Sequence, residues 1–228
     1  MKAVFEVPVN GSLSLNLNSS LTPEQELALE DQRLISGLQA GDESAYEQLI
    51  ERFQTPVYSL AWRLLSDPSD ASDVVQEVFL KIFRNVGSFR GDSTLRTWVY
   101  RIAVNEAHNR RRWLFRHRRG ETGIEEIFDD SEGRERPLTD SGETPFDFTM
   151  NREAQSLLEE GLAAINPVFR AALVLREVED MSYEEIAAIL EVSMGTVKSR
   201  IMRGREALRK YLSHRLDSAP SMELVPRS

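Results

Sequence analysis

The stretch SYEEIAAILEVSMGTVKSRIMRGREALRKYL, residues 182–212, decides the fold of the second half of this chain. Ser182 and Glu185 stand at the spacing of a capping box, in which each side chain satisfies a backbone N–H left unpaired at a helix start. The apolar residues that follow carry a short helix through Leu190. Glu191, Val192 and Ser193 then suit a tight turn, and a second helix begins around Met194. Two helices joined by about three residues have the dimensions of a helix-turn-helix. At about 100° per residue, Val197, Ile201, Gly204, Leu208 and Tyr211 share one face of the second helix, and that face packs. Thr196, Ser199, Met202 and Arg203 lie opposite, with Lys198 and Arg200 on the two flanks. Side chains near the amino end of such a helix reach base edges in a major groove, while flanking cations hold phosphates. A solvated basic helix in a bundle is the plainer alternative, but it gives no reason for cap, turn and segregated faces to coincide.

The charge is as uneven as the pattern. The chain carries a formal net charge of −9, yet residues 193–212 set Lys198, Arg200, Arg203, Arg205, Arg209 and Lys210 against Glu206 alone. Such segregation suits a polyanion. With 228 residues, 41% of them hydrophobic, the chain has material for one large domain or two small ones. No apolar run approaches the length of a bilayer-spanning helix, so membrane insertion is not expected. The opening MKAVFEVPVNGSLSLNLNSS lacks a long apolar stretch and a small-residue cleavage site, which points to a cytoplasmic protein. The absence of cysteine excludes disulfides and thiolate chemistry.

Residues 1–23 lack helical period and read as a disordered tail that ends where Thr22, Pro23 and Gln25 form another helix start. From there to about residue 117 apolar residues recur every three or four positions. Gly41-Asp42, Asp67-Pro68 and the Gly87–Asp92 stretch break the pattern into four or five helices, with no convincing strand. Residues 118–149 are acidic, hold Gly and Pro and keep no apolar period, so they read as a flexible linker. Helical periodicity returns over 150–215, and 216–228 form a polar tail. The expected fold class is all-α, with two small helical domains, 24–117 and 150–215, on an acidic tether.

A second basic run lies in the first domain. In STLRTWVYRIAVNEAHNRRRWLFRHRR, residues 93–119, eight arginines face only Glu106. Leu95, Val99, Ile102 and Ala103 make a buried stripe, and Trp98, Arg101, Asn105 and Arg112 follow a neighbouring edge. A ring that stacks, an amide that bonds a base edge and cations that hold backbone suit exposed bases. Trp98 taken alone is equally well read as a core tryptophan. Residues 89–93, Phe-Arg-Gly-Asp-Ser, should form a loop before this helix. The helix from about Asp70 to Arg84 differs: opposite its apolar stripe of Val74, Val75, Val78, Phe79, Ile82 and Phe83 lie Asp73, Gln76, Glu77, Leu80 and Arg84. An exposed leucine among acids points to a protein partner, although by itself this face could simply be solvated.

In combination, DASDVVQEVFLKIF, FRGDSTLRTWVYRIAVNEAHNRRR and LREVEDMSYEEIAAILEVSMGTVKSRIMRGREAL resemble an extracytoplasmic-function (ECF) sigma factor of the sigma-70 superfamily. The resemblance covers residues 30–117 and 150–212 in the family's order. It implies a transcription initiation factor that binds core RNA polymerase, at the β′ clamp helices and the β flap, and directs it to promoter DNA. Asp73, Gln76, Glu77 and Leu80 would then dock the clamp helices. Phe89, Ser93, Trp98, Arg101, Asn105 and Arg112 would lie at the −10 element, and Thr196, Lys198, Ser199, Arg200 and Arg203 at the −35 element. Family members are usually held inactive by an anti-sigma factor, which makes one a candidate partner. The tail and the acidic linker are not fixed by the family pattern.

Two rival readings remain. A stand-alone helix-turn-helix repressor would share the C-terminal helix pair, but it would not need the Trp98–Asn105 edge or the acidic helix. A nucleic-acid-processing enzyme would need metal-binding carboxylates or a nucleophile–base pair. His108, His117 and His214 each lie among arginines that disfavour a bound cation, and no phosphate-binding glycine loop or HExxH occurs. No catalytic residue, metal site or cofactor is therefore expected.

Overall fold

The computed structural model describes residues 22–118 and 146–217, and among these it holds eight α-helices and no strand. The amino-terminal group comprises α1 (Pro23–Ala40), α2 (Glu43–Leu65), α3 (Pro68–Asn85) and α4 (Leu95–Arg118), with a 3-10 turn at Val86–Ser88 between the last two. The carboxy-terminal group comprises α5 (Phe146–Ala164), α6 (Pro167–Glu177), α7 (Tyr183–Leu190) and α8 (Met194–Asp217). The tails read over 1–23 and 216–228, and the linker read over 118–149, fall almost wholly outside the described residues.

Local chemistry sets the helix ends. Thr22 and Gln25 form the reciprocal capping box of α1, and Gly41 ends that helix in the left-handed region at φ 77°, where a side chain would strain the backbone. Asp42 then caps α2 by accepting from the Ser44 N–H at 3.0 Å. Asp67 caps α3 by accepting from the Asp70 N–H at 2.9 Å, and Pro68 takes the first turn, where its missing donor is harmless. Pro56 lies inside α2, which continues through it. A proline there removes one ladder hydrogen bond, and the buried Phe53, Val57 and Leu60 on either side hold the helix against the core.

That core joins Leu49, Phe53, Val57 and Leu60 of α2 to Val74, Val78 and Ile82 of α3 and Leu95, Val99 and Ala103 of α4. Each large aliphatic side chain so buried contributes roughly 1.5–3 kcal/mol. In the second group Leu173 and Leu175 of α6 meet Ile186 and Ile189 of α7 and Val197 and Ile201 of α8. Gly204 lets α8 approach α6 closely, since a Cβ there would lie 3.1 Å from the Phe169 carbonyl oxygen and 3.2 Å from Leu173 Cβ.

The two groups also touch. Arg170 of α6 is buried and donates to the Leu64 carbonyl at 3.0 Å and to Ser66 Oγ at 3.4 Å. The same guanidinium donates to the Ile165 carbonyl at 3.2 Å and to that of Ala163. One cation thus serves carbonyls at the C-terminal ends of α2 and α5, where helix dipoles favour positive charge.

Candidate nucleic-acid interface

The carboxy-terminal helix pair begins with Ser182, whose hydroxyl accepts from the Glu185 N–H at 3.2 Å while Glu185 accepts from the Ser182 N–H at 2.8 Å. Glu191 closes α7 at φ 55°, and its N–H returns to the Ala187 carbonyl. Ser193 opens α8 by accepting from the Thr196 N–H at 3.2 Å. Val197, Ile201 and Gly204 are buried, and Leu208 and Tyr211 are half-buried, so the face read as packing is the face that packs. On the other side Lys198, Met202 and Arg203 are exposed, while Thr196, Ser199 and Arg200 are half-buried. Met202, at 65% exposure, is the most exposed large apolar side chain among the described residues. Arg203 leans over the Phe169 ring at 5.5 Å.

One part of this surface escaped the sequence reading. Tyr183, Lys198, Met202, Arg205 and Arg209 line a cleft of about 300 Å³ between α7 and α8. The Tyr183 ring lies between Arg176 at 5.3 Å and Lys198 at 5.9 Å, and Arg205 donates to Glu177 at 2.6 Å. Tyr183 sits directly after the capping serine, so its place beside Lys198 depends on the turn geometry.

The second candidate surface is on α4. Thr94 caps this helix by accepting from the Thr97 N–H at 3.1 Å. The loop before it contains Gly91 at φ 78° and is tied to α1, where Gln39 Nε2 donates to the Val86 and Phe89 carbonyls, both at 3.2 Å. Phe89 and Trp98 meet at 5.0 Å between ring centroids. Trp98 packs partly on the core and is half-buried, which leaves part of its ring open to solvent. Ser93 is half-buried, Asn105 and Arg112 are exposed, and Arg101 is half-buried with its Nε enclosed and without a hydrogen-bond partner.

The acidic helix α3 is held to α4 by charge. Arg110 donates to Asp70 through Nε at 2.8 Å and Nη2 at 2.7 Å, and it meets Asp73 at 2.7 Å. These carboxylates raise the Arg110 pKa above its ordinary value, led by the Asp70 hydrogen bond. Asp73, read as a docking residue, is therefore also a partner of Arg110, and Arg110 belongs to this brace. Gln76, Glu77 and Leu80 are exposed, with Leu80 at 42%, while Val74, Val78 and Ile82 are buried beneath them. On the far edge of α4, His108 is mostly enclosed. Burial, followed by the charges of Arg111, Arg112 and Arg200, lowers its pKa from 6.5 to about 4.

The comparisons with known proteins agree with this layout. The sigma-70 region 2 model matches residues 49–117, and the sigma-70 region 4 model matches residues 156–208. The chain is 37% identical over 201 residues to the RNA polymerase sigma-H factor of Pseudomonas aeruginosa, covering 87% of this chain and 100% of that one. It is 38% identical over 186 residues to the ECF RNA polymerase sigma-E factor of Escherichia coli K12, covering 79% and 93%. Among solved structures, CnrH in complex with the cytosolic domain of CnrY shares the fold at a TM-score of 0.59 and 23% identity, covering 81% of this chain and 97% of that chain. With an all-helical fold, matches to both sigma-70 regions in order and relatives matched over nearly their whole length, this chain belongs to the ECF sigma factors of the sigma-70 family, the promoter-specific initiation factors of RNA polymerase.

Proposed function

We propose that the two DNA readers divide the promoter between them, α8 taking the −35 element and the α4 edge the −10 element. The observation that carries this reading is the pairing, in one chain, of an exposed Asn105 two turns along α4 from the Trp98 of a Phe89–Trp98 ring pair with a capped helix-turn-helix whose outer face shows Lys198, Met202 and Arg203. Thr196, Ser199 and Arg203 read bases, and Lys198 and Arg200 hold phosphates. Asn105 and Trp98 receive bases lifted from the duplex, with Phe89, Ser93, Arg101 and Arg112 around them. Asp73, Gln76, Glu77 and Leu80 dock the β′ clamp helices, and the carboxy-terminal helices meet the β flap. An anti-sigma factor is a further partner, as it is for the Bartonella quintana sigma factor RpoE, solved with the anti-sigma factor NepR. The protein acts in the cytoplasm, where the promoters are, and has no catalytic step of its own.

Run-off transcription with core polymerase on genomic fragments tests the reading and supplies a promoter. On that promoter, Asn105→Ala and Trp98→Ala should impair permanganate-detected melting more than closed-complex formation, since stacking contributes roughly 1–3 kcal/mol per base. Normal melting by both variants would reject the role of the α4 edge.

A further inference from the structure

The stretch that joins α3 to α4 carries Phe89 and ends at the Thr94 cap, and part of its shape is set from outside. Phe89 is extended, at φ −67° and ψ 118°, and its N–H closes the 3-10 turn on the Val86 carbonyl at 3.1 Å. Ser88 Oγ donates to the Asn85 carbonyl at 2.7 Å. These bonds are local. The Phe89 carbonyl, at the exit of the turn, is met by a residue 50 positions earlier: Gln39 Nε2 donates to it and to the Val86 carbonyl, both at 3.2 Å. A glutamine amide has two N–H donors on one nitrogen, and here both go to the two carbonyls that bracket the turn.

Gln39 can act across that separation because its own helix end is fixed. Gly37 brings α1 close to α2, since a Cβ there would lie 2.8 Å from that of Ala45. The Tyr46 hydroxyl donates to the Leu38 carbonyl at 3.1 Å, and its ring meets Phe83 of α3 edge-on at 4.6 Å. Leu38, next to Gln39 in sequence, is buried. The amide therefore projects from a well-packed corner of α1, α2 and α3. The loop it holds is exposed from Arg90 to Asp92 and turns at Gly91, φ 78°.

We propose that Gln39 is a positioning residue for the −10 element: from α1 it sets the backbone of Phe89, and through it the pose of the Phe89–Trp98 ring pair and the choice of bases that the α4 edge accepts. The two rings meet at 5.0 Å, so a rotation of the Phe89 backbone moves one side of the pair directly. A neutral hydrogen bond near the surface is a modest restraint, so its loss should tilt the loop and leave the fold standing. This rests on reading the α4 edge as the −10 reader.

Two variants of the full chain separate donor from shape. Gln39→Glu keeps the size and puts acceptor oxygens where the donors stood, and Gln39→Leu removes the donors without adding charge. Gln39 is exposed, so both should keep wild-type helicity and bind core polymerase within twofold of wild type. The chain has three tryptophans, Trp62, Trp98 and Trp113, and fluorine NMR of the 5-fluorotryptophan protein reports each one, Trp98→Phe giving the assignment. In both Gln39 variants the Trp98 resonance should move toward its position in Phe89→Leu, where the ring contact is lost, with those of Trp62 and Trp113 unmoved. A Trp98 resonance unmoved in both overturns the proposal, and this readout does not depend on which residues touch DNA. The second readout does. Holoenzyme affinity for a single-stranded non-template oligonucleotide spanning the −10 element is compared with that for base-substituted versions. The ratio should fall at least twofold in both variants, while binding to a duplex carrying the −35 element alone stays within twofold of wild type. If Asn105→Ala and Trp98→Ala lower the ratio and the Gln39 variants do not, the role of Gln39 is rejected and the −10 reading stands. If none of the four lowers it, both are rejected.

Discussion

His108 shows how one side chain can register its surroundings. In the folded chain it stays neutral down to about pH 4, whereas in an unfolded chain it takes up a proton near 6.5. Between those values the unfolded chain binds more protons, so stability falls as the pH drops through that window and is unaffected above it. The loss from this group on going from pH 7.5 to pH 5 should be about 2 kcal/mol. Urea midpoints at the two pH values should therefore differ less in His108→Gln than in wild type, and equal pH dependence would mean that His108 is solvated. At the DNA surface, Lys198 and Arg203 should behave differently. Lys198 faces solvent beside Tyr183, and Lys198→Ala should weaken binding evenly across sequences and lower the salt slope by about one. Arg203→Ala should cost ~1–3 kcal/mol and relax a single base position. Titrating polymerase holoenzyme onto wild-type and base-substituted promoters at several salt concentrations separates the two.

Among the helices, the junction of α3 and α4 matters most, because it sets the helix proposed to dock polymerase against the helix proposed to read the −10 element. Asp70 is nearly enclosed and takes two donors from Arg110, whereas Asp73 is half-exposed and takes one. Removing a carboxylate from an enclosed pair leaves a cation poorly compensated, so Asp70→Ala should cost about 2–4 kcal/mol. Asp73→Ala should cost no more than about 1 kcal/mol, because its partner is kept and solvent screens the rest. Chemical denaturation of both variants checks this ordering, and the reverse order would make Asp73 the true brace. Asp70 and Arg110 also mark what the sequence could not reveal. Periodicity and caps are local, so both capping boxes, the packed face of α8 and the buried stripe of α3 are legible in the sequence alone. Arg110 looks there like one more cation in a basic run because its partner lies 40 residues away. Gln39, which fixes the loop before Trp98, acts across 50 residues. Arg170 does leave a trace: it is a cation in an otherwise apolar helix, PVFRAALVL, and a charge on a buried face must have partners. Nothing local says that those partners include the end of α2.

At the scale of the whole molecule, the outcome turns on a partner. Two small readers joined by a long segment gain little from each other unless a partner fixes their spacing. The free protein should therefore bind promoter duplex weakly, and core polymerase should raise that affinity by orders of magnitude. Leu80 is an apolar contact ringed by Gln76 and Glu77 and backed by Val74, Val78 and Ile82. Losing a central residue of such a patch can cost about 2 kcal/mol or more. Leu80→Ala with Glu77→Lys should abolish core binding, and with it transcription, while leaving the helicity of the free chain unchanged. Tight, sequence-specific promoter binding by the free protein, unchanged by the α3 double variant, would instead describe a stand-alone regulator. Fluorescence anisotropy on one promoter, with and without core polymerase, decides between these outcomes.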